Sequence, residues 1–200
     1  MKTLTSIIVF CLLAIAQVSG KTAARPDSDN YIKGVEALNE GNIELAYKLL
    51  NEEINLNPDN GYAHCYMALI CNACGDAKLA LQAATTGLEL LPADDAEYLS
   101  FAHYTRGMIL MNAEDYKDAE TELDEAIRLM PNDLDNYMAR AEIHLNNGKY
   151  EDSLSDLEQA VRIDSRADVY DLMMELIQAN PDPAFFDKVT NSLQGATAAR

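Results

Sequence analysis

Proline returns along this chain at an interval that constrains the fold more than any other feature. Pro58 and Pro92 are 34 residues apart, Pro131 and Ser165 are again 34 apart, and the 39 residues between Pro92 and Pro131 are the same period with five inserted. A fixed period of this length marks a stack of one repeated unit, because each unit buries its apolar face only against its neighbours. Counting back from each anchor places four units at 27–60, 61–99, 100–133 and 134–165.

The units agree in register as well as in length. Their eighth positions are Gly34, Ala68, Gly107 and Ala141, and their twentieth are Ala46, Ala80, Ala119 and Ser153. The twenty-fourth are Leu50, Ala84, Leu123 and Leu157; the twenty-seventh are Glu53, Gly87, Ala126 and Ala160. Small residues at the eighth and twentieth positions let two antiparallel helices of a unit approach until their backbones nearly touch, and the twenty-seventh position needs a small residue for packing on the next unit. Apolar residues at Ile54, Leu88, Ile127 and Val161, then at Leu56, Leu90, Leu129 and Ile163, predict a buried stripe along each second helix. Proline at the thirty-second position ends that helix, since it lacks a donor and clashes with the preceding turn. A loop glycine recurs at Gly41, Gly75 and Gly148, with Glu114 in its place in the third unit.

This pattern resembles the tetratricopeptide repeat family, and the resemblance covers residues 27–165. It implies an all-α fold, an α-solenoid wound as a right-handed superhelix from helix-turn-helix units. The fourth position, often Trp in that family, is Asn30, His64, His103 and Tyr137 here. Glu53 stands where a small residue is usual, which predicts looser packing of the first unit on the second. The insertion lies around Ala93–Leu99, where Asp94 or Asp95 is placed to cap an early start of the next helix and lengthen it by a turn or more. Beyond Ser165 the register fails. Ala167–Ala179 reads as a helix with Val169, Leu172, Met173 and Leu176 on one face, and Ala184–Leu193 as a shorter one carrying Phe185, Phe186 and Val189. Residues 166–193 thus read as a degenerate fifth unit capping the stack, and 194–200 as a tail.

The resemblance also implies a concave groove lined by the first helices. Carried over position by position, it takes Tyr31, Val35, Leu38 and Asn39 from the first unit and Tyr62, Cys65, Leu69 and Asn72 from the second. The third supplies Phe101, Tyr104, Met108, Met111 and Asn112, and the fourth Met138, Glu142, Leu145 and Asn146. Aromatic and Met side chains give adaptable contact area, and Asn bonds a peptide backbone on both edges. Such a lining suits an extended peptide or an amphipathic helix. The competing expectation is self-filling, with Phe185 and Phe186 folded back into the groove. Lys33 and Arg106 are the nearby basic groups, at positions that normally face the adjacent helix, so a clamp for an acidic chain terminus is not expected.

Charge narrows the partners. Lys and Arg number 15 against 33 Asp and Glu, a net charge of -18, which repels phosphate backbones and anionic lipid surfaces. Neither nucleic acid nor a membrane surface is therefore an expected partner, and no membrane span is expected in the mature chain. The acidic runs fall mainly on second helices, as a solvated outer face or as steering for a basic partner. At the start of the chain, Lys2, the ten-residue apolar run Ile7–Ala16 and the small residues Val18-Ser19-Gly20 read as a signal peptide over 1–20, followed by a linker over 21–26. Crossing a bilayer takes about 20 apolar residues, twice what this run supplies. The mature chain is thus expected in the periplasm or outside the cell.

The search for chemistry returns little. Cys71 and Cys74 form a C-x-x-C spacing, but at the C-terminal end of their helix, where the dipole disfavours a thiolate. With His64 they make three of the four ligands a zinc site needs, His103 being the tempting fourth, and repeat-core packing explains the same residues. No phosphate loop, nucleophile elbow or paired-histidine motif occurs, so neither an enzyme nor a cofactor is expected. The resulting expectation is a protein-interaction adaptor binding a peptide or helix. The alternative is an accessory region of a larger exported enzyme or transport assembly.

Overall fold

The computed structural model describes residues 25–198, with side chains as far as Gln194. The expected signal segment 1–20, residues 21–24 of the expected linker and residues 199–200 of the expected tail lie outside the described residues. Among the described residues all regular structure is α-helical: α1 (Asp29–Asn39), α2 (Ile43–Leu56), α3 (Gly61–Ala73), α4 (Ala77–Leu90), α5 (Ala96–Asn112), α6 (Tyr116–Leu129), α7 (Leu134–Asn146), α8 (Tyr150–Ile163), α9 (Tyr170–Ala179) and α10 (Pro183–Ala198). The chain is an all-α helical repeat. None of these helices is long and apolar enough to cross a membrane.

Local chemistry sets the boundaries. Ser28, Asn42, Asn60, Asp76 and Asp115 each accept from the backbone N–H three residues on, satisfying a donor the first turn leaves over. Four turns between paired helices share one closure. Gly41 N–H donates to Leu38 and Asn42 N–H to Ala37; the same pair of bonds recurs at Gly75, Glu114 and Gly148. This closure needs a left-handed residue, and φ is 76°, 80° and 74° at the glycines and 61° at Glu114. The residue after each of them heads the next helix, so the turn and the cap are one device.

Packing forms two compact units, one through Ile109 and one from Leu110. In the first, α1 pairs with α2, α3 with α4, and α2 lies on α3. A Cβ added to Gly34 would stand 2.8 Å from Leu50 Cγ, and one on Gly87 2.6 Å from Cys65 Sγ, so the small positions are places where no side chain fits. Glu53 does not loosen the packing as expected. It is buried, and its carboxylate accepts from Ser28 Oγ at 2.6 Å, Asn57 Nδ2 at 3.0 Å and Asn60 Nδ2 at 2.8 Å. Ser28 and Asn60 are themselves N-caps, so Glu53 ties the starts of α1 and α3 to α2. The predicted apolar stripe is corrected at two places. Leu56 is 71% exposed and Leu90 37%, because each is the terminal residue of its helix; Ile54 and Leu88, two residues earlier, pack against the core.

In the second unit α7 pairs with α8 and α6 packs on α7. Ser153 Oγ donates to the Ala141 carbonyl at 2.7 Å, a bond possible only because the eighth and twentieth positions are both small. After α8, α9 packs on α7 and α8, and α10 on α8 and α9. Val169, Met173, Leu176, Phe185 and Val189 are buried there in one cluster with Leu157 and Ala160. Glu175 is exposed, and α10 continues to Ala198, past the Leu193 end expected.

The left-handed turns predict opposite outcomes for two substitutions. Gly75→Ala meets no atom within 4 Å, so its cost is backbone strain alone, about 1 kcal/mol of unfolding free energy. Glu114→Gly relieves the same strain and raises stability by about 0.5 kcal/mol. Urea titration followed by circular dichroism separates the two signs.

Candidate interaction surfaces

On the first unit, the first-helix face is an aromatic cluster. Tyr31 from α1, Tyr62 and Tyr66 from α3, and Tyr98 and Phe101 from α5 meet with ring centroids 4.6 to 6.4 Å apart. Tyr98 is the hub, its hydroxyl 3.2 Å from the hydroxyls of both Tyr31 and Tyr66. It reaches this place because α5 starts early. Asp95 caps the helix by accepting from Tyr98 N–H at 3.2 Å, and its other oxygen accepts from Tyr62 Oη at 2.9 Å. The insertion therefore lengthens α5, as expected, and Asp95 rather than Asp94 is the cap. Burial, reinforced by the neighbouring tyrosines and Asp95, pushes the hydroxyls of Tyr31, Tyr62 and Tyr66 above the usual tyrosine range, so they stay neutral donors.

A cation closes this face. Arg25, just ahead of α1, sets its guanidinium 4.6 Å from the centroid of Tyr98, and its Nη2 donates to Glu97 Oε2. Arg25 is thus a basic group of this face beyond the expected Lys33 and Arg106. Lys33 instead pairs with Asp29 in solvent, at 2.9 Å.

The positions carried over from the repeat family fall into two groups. Tyr31, Leu38, Tyr62, Cys65, Leu69, Phe101 and Met111 are buried. For the six of these in the first unit, the expectation of an open groove lining is corrected, since the aromatic cluster and the core occupy that space. Val35, Asn72, Tyr104, Met108, Met138, Glu142 and Leu145 are half-buried; Asn39, Asn112 and Asn146 are exposed. Self-filling by the C-terminal phenylalanines takes a different form from the one expected. Phe185 is buried against Tyr150 of α8, with ring centroids 6.4 Å apart, while Phe186 is 47% exposed. Sequence reasoning missed Tyr66, Tyr98, Glu97 and Arg25. The aromatic residue inside the acidic insertion was the available signal.

The cysteines sit apart from this face in chemistry. Cys65, Cys71 and Cys74 are free thiols, the first two buried. Burial pushes Cys65 up to about 12 and Cys71 to about 11, so both are protonated at neutral pH. His64 donates from Nε2 to the Pro58 carbonyl at 3.0 Å.

The second unit carries an ionic cluster joining three helices. Arg140 of α7 grips Asp156 of α8 through Nε at 3.0 Å and Nη2 at 2.7 Å, and reaches Asp124 of α6 through Nη1 at 2.6 Å. One turn along α7, buried His144 lies between two carboxylates. Its Nε2 is 3.3 Å from Glu120, and its Nδ1 is 3.0 Å from Asp156 Oδ2, close enough for an ion pair but off the line of a hydrogen bond. Lys149 completes the set, donating to Glu120 at 2.6 Å. Burial works against a charged His144, but Asp156 and Glu120 outweigh it and hold its pKa above the usual value. Burial likewise works against the two carboxylates, and their cationic partners outweigh it, lowering both.

Two predictions follow from these clusters. Tyr98→Ala removes a buried ring from the centre of the first and costs about 3 kcal/mol or more, whereas Tyr98→Phe strands two hydroxyls and costs about 1–2 kcal/mol. Chemical denaturation of both variants measures the difference. For His144, a raised folded pKa means stability fully present below the unfolded value of 6.5 and lost as pH rises through the folded one. The contributions of Asp156 and Glu120 are present above 3.8 and 4.5 and are lost as pH falls through their lowered values. Melting curves of wild type and His144→Gln therefore diverge most between about pH 5 and 6 and converge toward alkaline pH.

Known proteins with this arrangement are helical repeats. The tetratricopeptide repeat profile matches residues 104–168. A pentatricopeptide repeat-containing protein of Arabidopsis thaliana is 32% identical over 79 residues; the match covers 40% of this chain but only 11% of that protein's length. Among solved structures, MamA residues 41 to the end from Desulfovibrio magneticus superposes with a TM-score of 0.67 at 18% identity, covering 86% of this chain and 96% of that one. YrrB, described as a tetratricopeptide repeat protein with an unusual peptide-binding site, gives 0.57 at 16% identity over 84% and 90%. A tetratricopeptide repeat protein from Parabacteroides merdae gives 0.63 at 12% identity over 85% and 66%. Residues 104–168 match the tetratricopeptide repeat model, and the paired-helix fold of the described residues is that of tetratricopeptide-type helical repeats.

Proposed function

We propose that this chain is a non-catalytic interaction scaffold that receives an extended peptide or a helix along its first helices, and that it works after export, in the periplasm or outside the cell. The observation that carries this reading is the recurrence of asparagine in the last turn of each first helix, at Asn39, Asn72, Asn112 and Asn146. Asn39 and Asn146 are exposed, and a side-chain amide at these two ends carries both a donor and an acceptor for a passing backbone. Half-buried Tyr104 and Met108 offer apolar contact on the first unit, and half-buried Met138 on the second. The similarity to YrrB, whose description includes a peptide-binding site, supports the same reading. So does the chemistry of the histidines and thiols: His64 and His144 are engaged in packing and ion pairing, and two of the three thiols are held protonated.

Capture from the native host tests the scaffold. With wild-type and Tyr104→Asp chains as cross-linking baits, mass spectrometry is expected to find a partner reduced about tenfold or more by the substitution, since a buried charge in an apolar contact costs over 1.4 kcal/mol. Unchanged helical content by circular dichroism accompanies that loss. Equal capture by both baits overturns the assignment to the first helices.

A further inference from the structure

Arg25 stands on its face as a ligand stands in a site. Its guanidinium lies over the ring of Tyr98 and donates to Glu97, whose side chain is 11% exposed, while Asp95 is fully buried just behind. Tyr31, Tyr62 and Tyr66 back the ring of Tyr98. A flat aromatic surface beside a carboxylate selects a planar cation with directional donors, which is a guanidinium rather than an ammonium. We infer that Tyr98 and Glu97 form an arginine-binding site on the first unit, held in the resting chain by Arg25, and that an arginine-bearing peptide of a partner takes the same place.

Arg25 is a provisional occupant because its bond set is incomplete. An arginine meets a carboxylate best side-on, through two parallel N–H···O bonds. Here Nη2 meets Glu97 Oε2, but Arg25 Nε and Glu97 Oε1 are both buried and neither has a hydrogen-bond partner among the described residues. The pair thus holds one buried unused donor and one buried unused acceptor, the two atoms that a side-on fork would join. Arg25 is restrained in its approach by Pro26 and by the start of α1 at Asp29. An arginine on another chain carries no such restraint. A tethered residue competes at an effective concentration on the order of millimolar, so a half-made contact suffices to keep the site closed until a better-fitting ligand arrives. The net charge of -18 draws cationic peptides toward it.

This inference rests on the scaffold reading and specifies the partner's chemistry. The probe is an acetylated peptide of residues 21–27, in its natural form and with Arg25→Ala, titrated by calorimetry into the full chain. The natural peptide is expected to bind the Arg25→Ala chain about tenfold more tightly than wild type, whose site is occupied, and the alanine peptide to bind neither. Glu97→Gln in the Arg25→Ala background is expected to weaken the natural peptide by a further tenfold or so, with circular dichroism unchanged. If Arg25→Ala melts early, Arg25→Lys serves in its place, since it keeps the charge and loses the fork. Equal binding of the two peptides, or equal affinity of wild type and variant, overturns the arginine site. Should the peptides fail while Tyr104→Asp still loses its partner, the arginine site falls and the scaffold stands; the opposite pattern retains the arginine site and rejects the first helices as the wider surface.

Discussion

Backbone-close approach of paired helices is the constraint from which the rest of this structure follows. At Ala141 and Ser153 the helices are near enough for a side-chain hydroxyl to bond the opposite carbonyl, and at Gly34 and Gly87 there is no room for even a methyl group. Such proximity is costly to any larger side chain. It is also productive, because it brings Leu50, Leu123 and Leu157 to full burial without a single closed core. Turns must then be short and reproducible, and the left-handed residue at Gly41, Gly75, Glu114 and Gly148 supplies that.

Within this frame polar groups are used as fasteners. Glu53 replaces a small residue, yet three donors from the capping residues and Asn57 satisfy it, so an apparent defect becomes a joint between α1, α2 and α3. In the second unit Arg140 and His144 do the corresponding work for α6, α7 and α8. A buried carboxylate left unpaired would cost several kcal/mol, so each of these clusters also excludes registers that would break it. Positions that in an open repeat would face solvent are occupied differently in the first unit. There an insertion of five residues starts α5 a turn early and delivers Tyr98 onto the first-helix face, where the chain's own Arg25 lies over it.

The fold was legible because its determinants are local and periodic. Small residues at fixed spacing and a glycine between paired helices act within one turn of themselves, and each recurs often enough to be counted. The apolar stripe was less legible at its ends, where Leu56 and Leu90 share the pattern but lie at the helix terminus. The candidate site was legible only in part. Tyr31, Tyr62 and Phe101 are buried in one aromatic cluster with Tyr98, which belongs to no repeat position.

By itself, then, the sequence determined the number and pairing of the repeat helices, their capping and the small contacts between them, since these depend on neighbours within a few dozen residues. Tertiary structure alone decided that Tyr98 fills the face of Tyr31 and Tyr66, and that Arg25 meets Glu97 across 72 residues of chain. It also decided that His144 sits between Glu120 and Asp156. No periodicity encodes such meetings. They arise because packing brings side chains of different helices to one place, and the energy of a ring, a cation or a carboxylate depends on what is already there.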